Sequence, residues 1–168
     1  LFGKVGPGEM FEYKTTDPTV LGIMVSRATG RTFNQWQEDS LFAHVKTKDR
    51  VILGQDQQNY SDAGGNVRMI IEDWLRMAVH IQESRKQSDC YGQFVKTATT
   101  KQISNLEKKF GGRFNGYGYF FWTDNITVPN SYWANGWGGQ RIAWSTINDK
   151  VVIIFSNQES DLELMYRV

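Results

Sequence analysis

The 168-residue sequence predicts an α+β fold in which helices come first and an antiparallel sheet follows. Two observations indicate this order. In the first two thirds of the chain, apolar residues recur at three- and four-residue spacing between helix start and stop signals. After that point, short runs rich in aromatic and β-branched residues alternate with turn residues, which is typical of paired strands. We expect these elements to stack as α/β/α layers.

Two helices are predicted in the first 45 residues. The segment "TTDPTVLGIMVSRATG" has both ends marked: Asp17 can cap the helix, Pro18 suits its first position, and Gly30 suits a left-handed stop. A second helix is predicted to start at Thr32, because Thr32 and Gln35 have the spacing of a capping box. The apolar residues expected to be buried are Val20, Leu21, Met24, Val25 and Ala28 in the first helix and Phe33, Trp36 and Leu41 in the second.

Residues 46–66 are mainly polar, with one short apolar run that suggests a hairpin arm. The strongest helix is predicted next, over residues 67–85, and a fourth is predicted to begin at Thr99 and to end at Gly111 and Gly112. The apolar residues that recur at helical spacing in the strongest helix are Ile70, Ile71, Trp74, Leu75, Ala78 and Ile81.

Three strands are predicted after the helices, over residues 117–122 ("YGYFFW"), 140–146 ("QRIAWST") and 150–157 ("KVVIIFSN"). The residues "INDK" between the last two predict a tight turn. The last ten residues, 159–168, predict the beginning of a closing helix.

Composition excludes several classes of partner and cofactor. The net charge is +1 with no basic run, which predicts no nucleic-acid or membrane-surface partner. The single Cys90 excludes an internal disulfide, and His44 and His80 lack a ligand motif, so we predict no metal and no cofactor. Two sequons, at Asn59 and Asn125, mildly favour a secreted location, but the compartment stays open.

Two short motifs could carry chemistry. In "PGEMFEYKTTD", Tyr13 lies in a loop ahead of a helix, where it could transfer a proton if cations lowered its pKa. The simpler interpretation is that its ring packs under the helix. In "GWGGQRI", Gly138 and Gly139 let the backbone approach a ligand, and an N–H at the strand edge could face an oxyanion. Glycine turns before strands are also common in proteins without such a site.

Four segments taken together resemble the serine β-lactamase and penicillin-binding-protein-like hydrolases. They are residues 7–36, residues 63–78 ("AGGNVRMIIEDWLRMA"), the run "YGYFFW" and residues 135–157, in the order that the family has them. The most similar branches are the class C-related family VIII carboxylesterases and the 6-aminohexanoate-dimer hydrolases. The resemblance implies a β-lactamase-like fold, of which residues 1–168 would be the C-terminal part.

The resemblance also implies roles for individual residues. In this family a Ser-x-x-Lys motif supplies the nucleophile, and its Lys and a Tyr handle the proton. Tyr13 matches the catalytic Tyr of the family's Tyr-x-Asn motif, with Thr15 where Asn is usual.

The second implied site is the Lys-Thr-Gly strand of the family. Trp137, Gly138 and Gly139 match this motif in the Trp-Gly-Gly form of the esterase branch, and Gln140 would add a backbone N–H to the oxyanion hole.

Two departures from the family pattern bear on the substrate. Trp137 replaces a Lys that would hold a substrate carboxylate, and it offers an apolar face instead. Thr15 is shorter than Asn and cannot present both a donor amide and an acceptor. Both changes favour a neutral ester or a simple amide, hydrolysed through an acyl-enzyme.

None of the serines in this sequence has a Lys three positions further on. We therefore expect an N-terminal half, in a separate chain or a preceding segment, to supply the nucleophile. Two other interpretations stay open. The chain could be a non-catalytic binding or structural protein that retains the fold, or an unrelated α+β domain in which the motifs arise by chance.

Overall fold

The computed structural model describes residue 6 and residues 8–106 and 112–157. The chain forms two compact units. The sheet unit comprises Leu1–Tyr13 and Ala78–Val168, and the helical unit comprises Lys14–Met77. Within the described residues, no helix is both long and apolar enough to cross a membrane.

The helical unit contains short helices and one small antiparallel ladder. Its elements are α1 (Thr16–Thr29), α2 (Phe33–Gln37), a π-helical turn (Glu38–Phe42), α3 (Ala43–Val45), β1 (Ile52–Leu53), β2 (Val67–Arg68) and the first half of α4 (Ile71–Ser84).

The first helix begins earlier than its sequence predicts. The prediction that Asp17 caps it and Pro18 opens it is wrong, because α1 starts at Thr16 with Thr15 as N-cap. Thr15 already has helical backbone angles, and its side chain makes no capping hydrogen bond. Asp17 lies in the first turn instead, where a carboxylate is favoured by the unpaired backbone N–H groups. The left-handed stop is confirmed, since Gly30 has φ 68°.

The capping box of the second helix is confirmed, but its buried face is shifted. Gln35 N donates to Thr32 Oγ1 at 3.2 Å, and Thr32 N donates to Gln35 Oε1 at 3.1 Å. The helix then widens into the π-helical turn, which inserts residues and rotates the face that follows it. Phe42 and Val45 are buried as a result. The residues predicted as the buried face are only half-buried: Phe33, Trp36 and Leu41.

The strongest predicted helix is confirmed as α4, which begins at Ile71 because Val67 and Arg68 pair with β1. Of the predicted apolar stripe, only Ala78 is fully buried. Asp73 and Gln82 are buried, whereas Ile71 and Leu75 are exposed. The Asp73 carboxylate accepts the backbone N–H groups of Lys48 and Asp49, at 2.8 and 3.0 Å. A buried carboxylate with two such partners fixes the face of the helix that turns inward.

The sheet unit is a six-stranded antiparallel sheet in which every strand pairs with its neighbour in sequence. Helix α5 (Cys90–Ala98) precedes it. The strands are β3 (Ile103–Ser104), β4 (Phe114–Tyr117), β5 (Trp122–Asn125), β6 (Ser131–Asn135), β7 (Arg141–Ser145) and β8 (Val151–Ile154). Helices followed by an antiparallel sheet confirm the predicted α+β class.

The fourth predicted helix is wrong over its described residues. Thr99 is the C-cap of α5, which the sequence pattern does not predict, and β3 pairs with β4 where the helix was expected. The side chain of Asp89 caps α5 by accepting Gly92 N at 2.7 Å. The predicted end at Gly111 lies outside the described residues.

The strand predicted over 117–122 is a hairpin. β4 ends at Tyr117 and β5 starts at Trp122, and Gly118 N donates to Phe121 O at 2.8 Å across the turn. The other two predicted strands are confirmed as β7 and β8, joined by a turn in which Ser145 N donates to Lys150 O at 2.9 Å. β6 is not predicted. The closing helix predicted for 159–168 lies outside the described residues.

The two faces of the sheet bury different groups. Successive residues of a strand point to opposite faces, and the register puts Trp122, Trp133 and Ala143 in one row. Phe11 packs on that row. On the opposite face, Tyr132 and Trp144 stack with ring centroids 5.0 Å apart, against the end of α4.

Candidate functional site

The glycine-rich segment forms the turn between β6 and β7. Residues Trp137–Gly139 make one 3₁₀ turn in which Gly138 and Gly139 have φ of 72° and 91°. These left-handed angles disfavour residues with a Cβ, which explains the two glycines. Gly136 N donates to Gln140 O at 2.8 Å and closes the turn.

Two side chains brace this turn from inside. Arg141 Nη1 donates to Gly136 O at 2.6 Å and to Gln140 O at 2.8 Å, and the Arg141 side chain is buried. The side-chain amide of Gln140 donates to the backbone carbonyl of Ser156, which follows β8. The role predicted for Gln140 concerns its backbone N–H, and none of these contacts uses that group.

Trp137 projects from the braced turn with 93% of its surface exposed. Large aromatic side chains are rarely left in water, and an exposed Trp on a fixed turn is typical of a binding contact. The indole carries no charge, so this position supplies no cation to a ligand.

Tyr13 packs on the sheet. Its ring stacks on Trp122 with centroids 5.6 Å apart and an interplanar angle of 21°, and it meets Tyr117 edge-on at 6.3 Å. The side chain stays 39% exposed. The segment is therefore held by its ring, while part of the tyrosine remains accessible to solvent.

The register brings Tyr13 and the glycine turn to the same end of the sheet. Trp122, which carries Tyr13, pairs with Trp133 in β6, and β6 leads from there into the turn at Gly136. Residues two apart along a strand are separated by about 7 Å, and adjacent strands by about 5 Å. The two predicted elements are thus neighbours in one unit, as a shared site requires.

Thr15 belongs to the helical unit, where it is the N-cap of α1. Its carbonyl and methyl group lie against Gly64: a Cβ on that glycine would come within 2.6 Å of Thr15 O and 2.9 Å of Thr15 Cγ2. Its place in a substrate site stays a prediction.

Arg141 is the residue that the sequence interpretation missed. The sequence predicts Arg141 only as part of a strand, whereas its side chain fixes the carbonyls on both sides of the turn. The signal that could have identified it is an arginine at the start of an otherwise apolar strand, directly after a Gly-Gly turn. A charged residue in that setting is expected to find buried acceptors.

The two sequons differ in accessibility. Asn59 is exposed, whereas Asn125 is buried and its Oδ1 accepts the backbone N–H groups of Thr127 and Val128, both at 2.9 Å. Only Asn59 is positioned to be modified in this fold. Within the described residues there is also no group of three His, Cys, Asp or Glu that could hold a metal ion.

No family model matches this sequence, and no curated protein matches it at a significant level. Solved structures do match. A protein assigned as a 6-aminohexanoate-dimer hydrolase from Bacillus anthracis aligns with a TM-score of 0.76 at 13% identity, over 98% of this chain and 43% of that protein.

Two further structures agree with this match. A β-lactamase from Mycobacterium bovis has a TM-score of 0.72 at 17% identity, over 92% of this chain and 59% of its own. An octameric penicillin-binding protein homologue from Pyrococcus abyssi has a TM-score of 0.64 at 18% identity, over 92% of this chain and 40% of its own. At these identities the likeness shows the fold, which is β-lactamase-like as predicted. The chain spans between 40% and 59% of the length of these structures.

Proposed function

We propose that this chain is part of a serine hydrolase that acts on esters or simple amides through an acyl-enzyme. In this proposal Tyr13 handles the proton of the nucleophile, and the backbone N–H of Gln140 contributes to the oxyanion hole. The nucleophile comes from an N-terminal half, in a separate chain or a preceding segment.

The observation that carries this proposal is the placement of two predicted elements at one end of the sheet. Tyr13 lies at that end because it stacks on Trp122, and Gln140 lies there because it directly precedes β7. They are far apart in sequence, so a chance resemblance of motifs gives no reason for them to meet. The β-lactamase-like fold supports the same interpretation, although folds of this kind host several activities.

The geometry of the turn suits stabilisation of an oxyanion. Its backbone is held by Arg141 and by the Gln140 side chain, so an N–H group there need not reorganise during reaction. Donors that are fixed in advance are the ones that stabilise developing charge most effectively. The neutral Trp137 favours substrates without a carboxylate at the position that a Lys would bind.

The first test is native mass spectrometry of the purified protein, with peptide sequencing of everything that co-migrates. A co-purifying segment that carries Ser-x-x-Lys and is labelled by a fluorophosphonate would support the proposal. A mass that matches this chain alone, with no labelled serine, would contradict it and would favour a binding or structural protein that retains the fold.

The second test is Tyr13→Phe in the complete assembly. The change keeps the stacked ring and removes only the hydroxyl, so folding should be preserved while acylation falls. We expect kcat/KM for phenyl acetate to fall by about 10²–10⁴, the usual contribution of a general acid–base group. Tyr60→Phe, at an exposed position in the helical unit, is the matched control and should leave turnover unchanged. Equal turnover in both variants would refute the role of Tyr13.

A further inference from the structure

Three loops of the sheet unit meet at the end of the sheet that carries Tyr13. The β4–β5 hairpin tip (residues 118–121) is adjacent to the β6–β7 turn (136–140), because β5 pairs with β6. Residues 155–157 follow β8 at the same end, because Ile154 pairs with Arg141. We call the exposed aromatic side chains of these loops the aromatic rim: Tyr119, Phe120, Trp137 and Phe155.

The loops that form the aromatic rim contain no charged residue. Residues 117–122, 135–140 and 154–157 include no Asp, Glu, Lys, Arg or His. The adjoining Arg141 is buried and directs its guanidinium to backbone carbonyls, and Glu12 precedes Tyr13. The β7–β8 turn at the opposite end differs, since Asp149 forms an ion pair there with Lys86. Lys101, which precedes β3 beside the β4–β5 hairpin, is paired with Asp124 of β5. The aromatic rim itself is uncharged, so it gives a carboxylate or ammonium group no partner to replace its water.

The aromatic rim includes one residue, Phe120, whose backbone is strained. It has φ 64°, a left-handed angle that is unusual for a bulky residue, and its ring is half exposed. A glycine would adopt this angle without strain. Because burial does not compensate the strain, a use for the exposed ring is the better explanation.

Trp137 is presented by a turn that is already fixed. The hydrogen bonds from Arg141 and Gln140 hold its backbone before any ligand arrives. A ligand that stacks on the indole therefore need not order the turn, which reduces the entropy lost on binding.

We propose that the aromatic rim binds the uncharged aryl or alkyl group of a small-molecule ester or amide, and that Trp137 determines this specificity. The proposal rests on the proposed function, since it assigns the substrate group next to Tyr13 and Gln140. It requires that a ligand of the same size with a carboxylate be rejected, because neither Trp137 nor the loops beside it supply a cation.

The test compares phenylacetamide with phenylacetate, which have the same ring and differ in charge. Binding to the purified protein is followed by the shift of the Trp137 indole N–H signal in NMR spectra. We expect phenylacetamide to bind at least tenfold more tightly than phenylacetate. Trp137→Ala should weaken the amide at least fivefold by ligand-observed NMR, and Trp137→Lys should reverse the preference. Ile147→Ala, at an exposed apolar position in the β7–β8 turn at the opposite end, is the control and should change neither affinity.

Equal affinity for the two ligands, or amide binding that survives Trp137→Ala, would overturn the specificity proposal. The proposal would also be overturned if a co-purifying segment protected Trp137 from fluorescence quenching by acrylamide. The aromatic rim would then be a protein interface. The readout is binding and not turnover, so its result is independent of the Tyr13→Phe experiment. Selective amide binding with unchanged turnover in Tyr13→Phe would refute the catalytic assignment alone.

Discussion

Gln82 is a buried amide that joins helix α4 to the sheet at three points. Its Nε2 donates to Ser145 O at 2.8 Å and lies 3.4 Å from Asp149 Oδ1, and its Oε1 accepts the Tyr132 hydroxyl at 2.8 Å. A leucine of similar size could fill the space but would leave the Tyr132 hydroxyl without this partner. A buried group left unsatisfied in this way costs about 1–3 kcal/mol.

Tyr132 makes the free energy of unfolding depend on pH under alkaline conditions. Burial raises the pKa of its hydroxyl, although the charge of Arg85 opposes the shift. The folded state therefore holds the proton more tightly than the unfolded chain, whose tyrosines titrate near pH 10. The stability that this group contributes is complete below about pH 9–10 and is lost as the pH rises through the raised value.

We expect the free energy of unfolding to fall more steeply above pH 10 in the wild type than in Tyr132→Phe, by up to about 1.4 kcal/mol per pH unit. Urea denaturation at a series of pH values measures this slope. Tyr119→Phe, at an exposed position, serves as control and should keep the wild-type slope. Parallel curves for the wild type and Tyr132→Phe would show that the hydroxyl is not protected by burial.

The β4–β5 hairpin is the element that depends most on one glycine. A Cβ at Gly118 would lie 2.1 Å from Ala98 O and 2.8 Å from Thr100 O, both backbone atoms at the end of α5. Tyr119 N also donates to Ala98 O at 2.9 Å, so the hairpin cannot move away without losing that bond. The close approach of hairpin and helix is possible only because position 118 has no side chain.

Gly118→Ala should therefore destabilise the sheet unit by about 3 kcal/mol, the upper part of the range for overpacking. Gly65→Ala is a suitable control, because its Cβ would meet only Asp62 Oδ2, at 3.9 Å. Urea unfolding of both variants, followed by tryptophan fluorescence, compares the two changes. A loss below 1 kcal/mol for Gly118→Ala would mean that the hairpin tolerates separation from α5.

The elements that the sequence predicts well are those whose signals are local. The capping box at Thr32, the stop at Gly30 and the "INDK" turn involve residues within a few positions of each other, and all three are observed. The failures depend on partners far away in sequence. β3 exists because β4 lies beside it, and the hairpin at 118–121 is set by its contact with α5.

The candidate site follows the same rule. Motif resemblance identified Tyr13 and the glycine turn, and the residues themselves explain the left-handed angles of Gly138 and Gly139. The stacking of Tyr13 on Trp122 and the bracing by Arg141 involve tertiary contacts, which no spacing along the chain encodes.

At the scale of the molecule, two helices expose apolar side chains that a self-contained domain would bury. The stripe of α1 is exposed at Val20, Leu21 and Met24, and the stripe of α4 is exposed at Ile71 and Leu75, where helical periodicity predicts burial. Exposed apolar stripes of this kind are typical of an interaction site. An N-terminal half that completes the fold is the partner that we propose for it.

We expect the chain by itself to self-associate reversibly at micromolar concentration, and Leu21→Lys combined with Leu75→Lys to suppress this. Because both side chains are exposed, the free energy of unfolding should change by less than about 0.5 kcal/mol. Sedimentation velocity measures the association, and urea denaturation checks the stability. Ile147→Lys, which lies outside both stripes, should leave association unchanged. A wild type that is monomeric throughout this range would count against a missing partner.

The sheet connectivity has a consequence for the order of events in folding. Because β3 to β8 pair only with their sequence neighbours, the sheet can grow by closing one hairpin after another, and each closure takes microseconds. Low contact order of this kind is associated with fast folding. The Phe11–Tyr13 segment reaches Trp122 across most of the chain, a much longer loop to close. Tyr13 should therefore join the site last. In a refolding experiment, the Tyr13–Trp122 contact should form more slowly than the sheet.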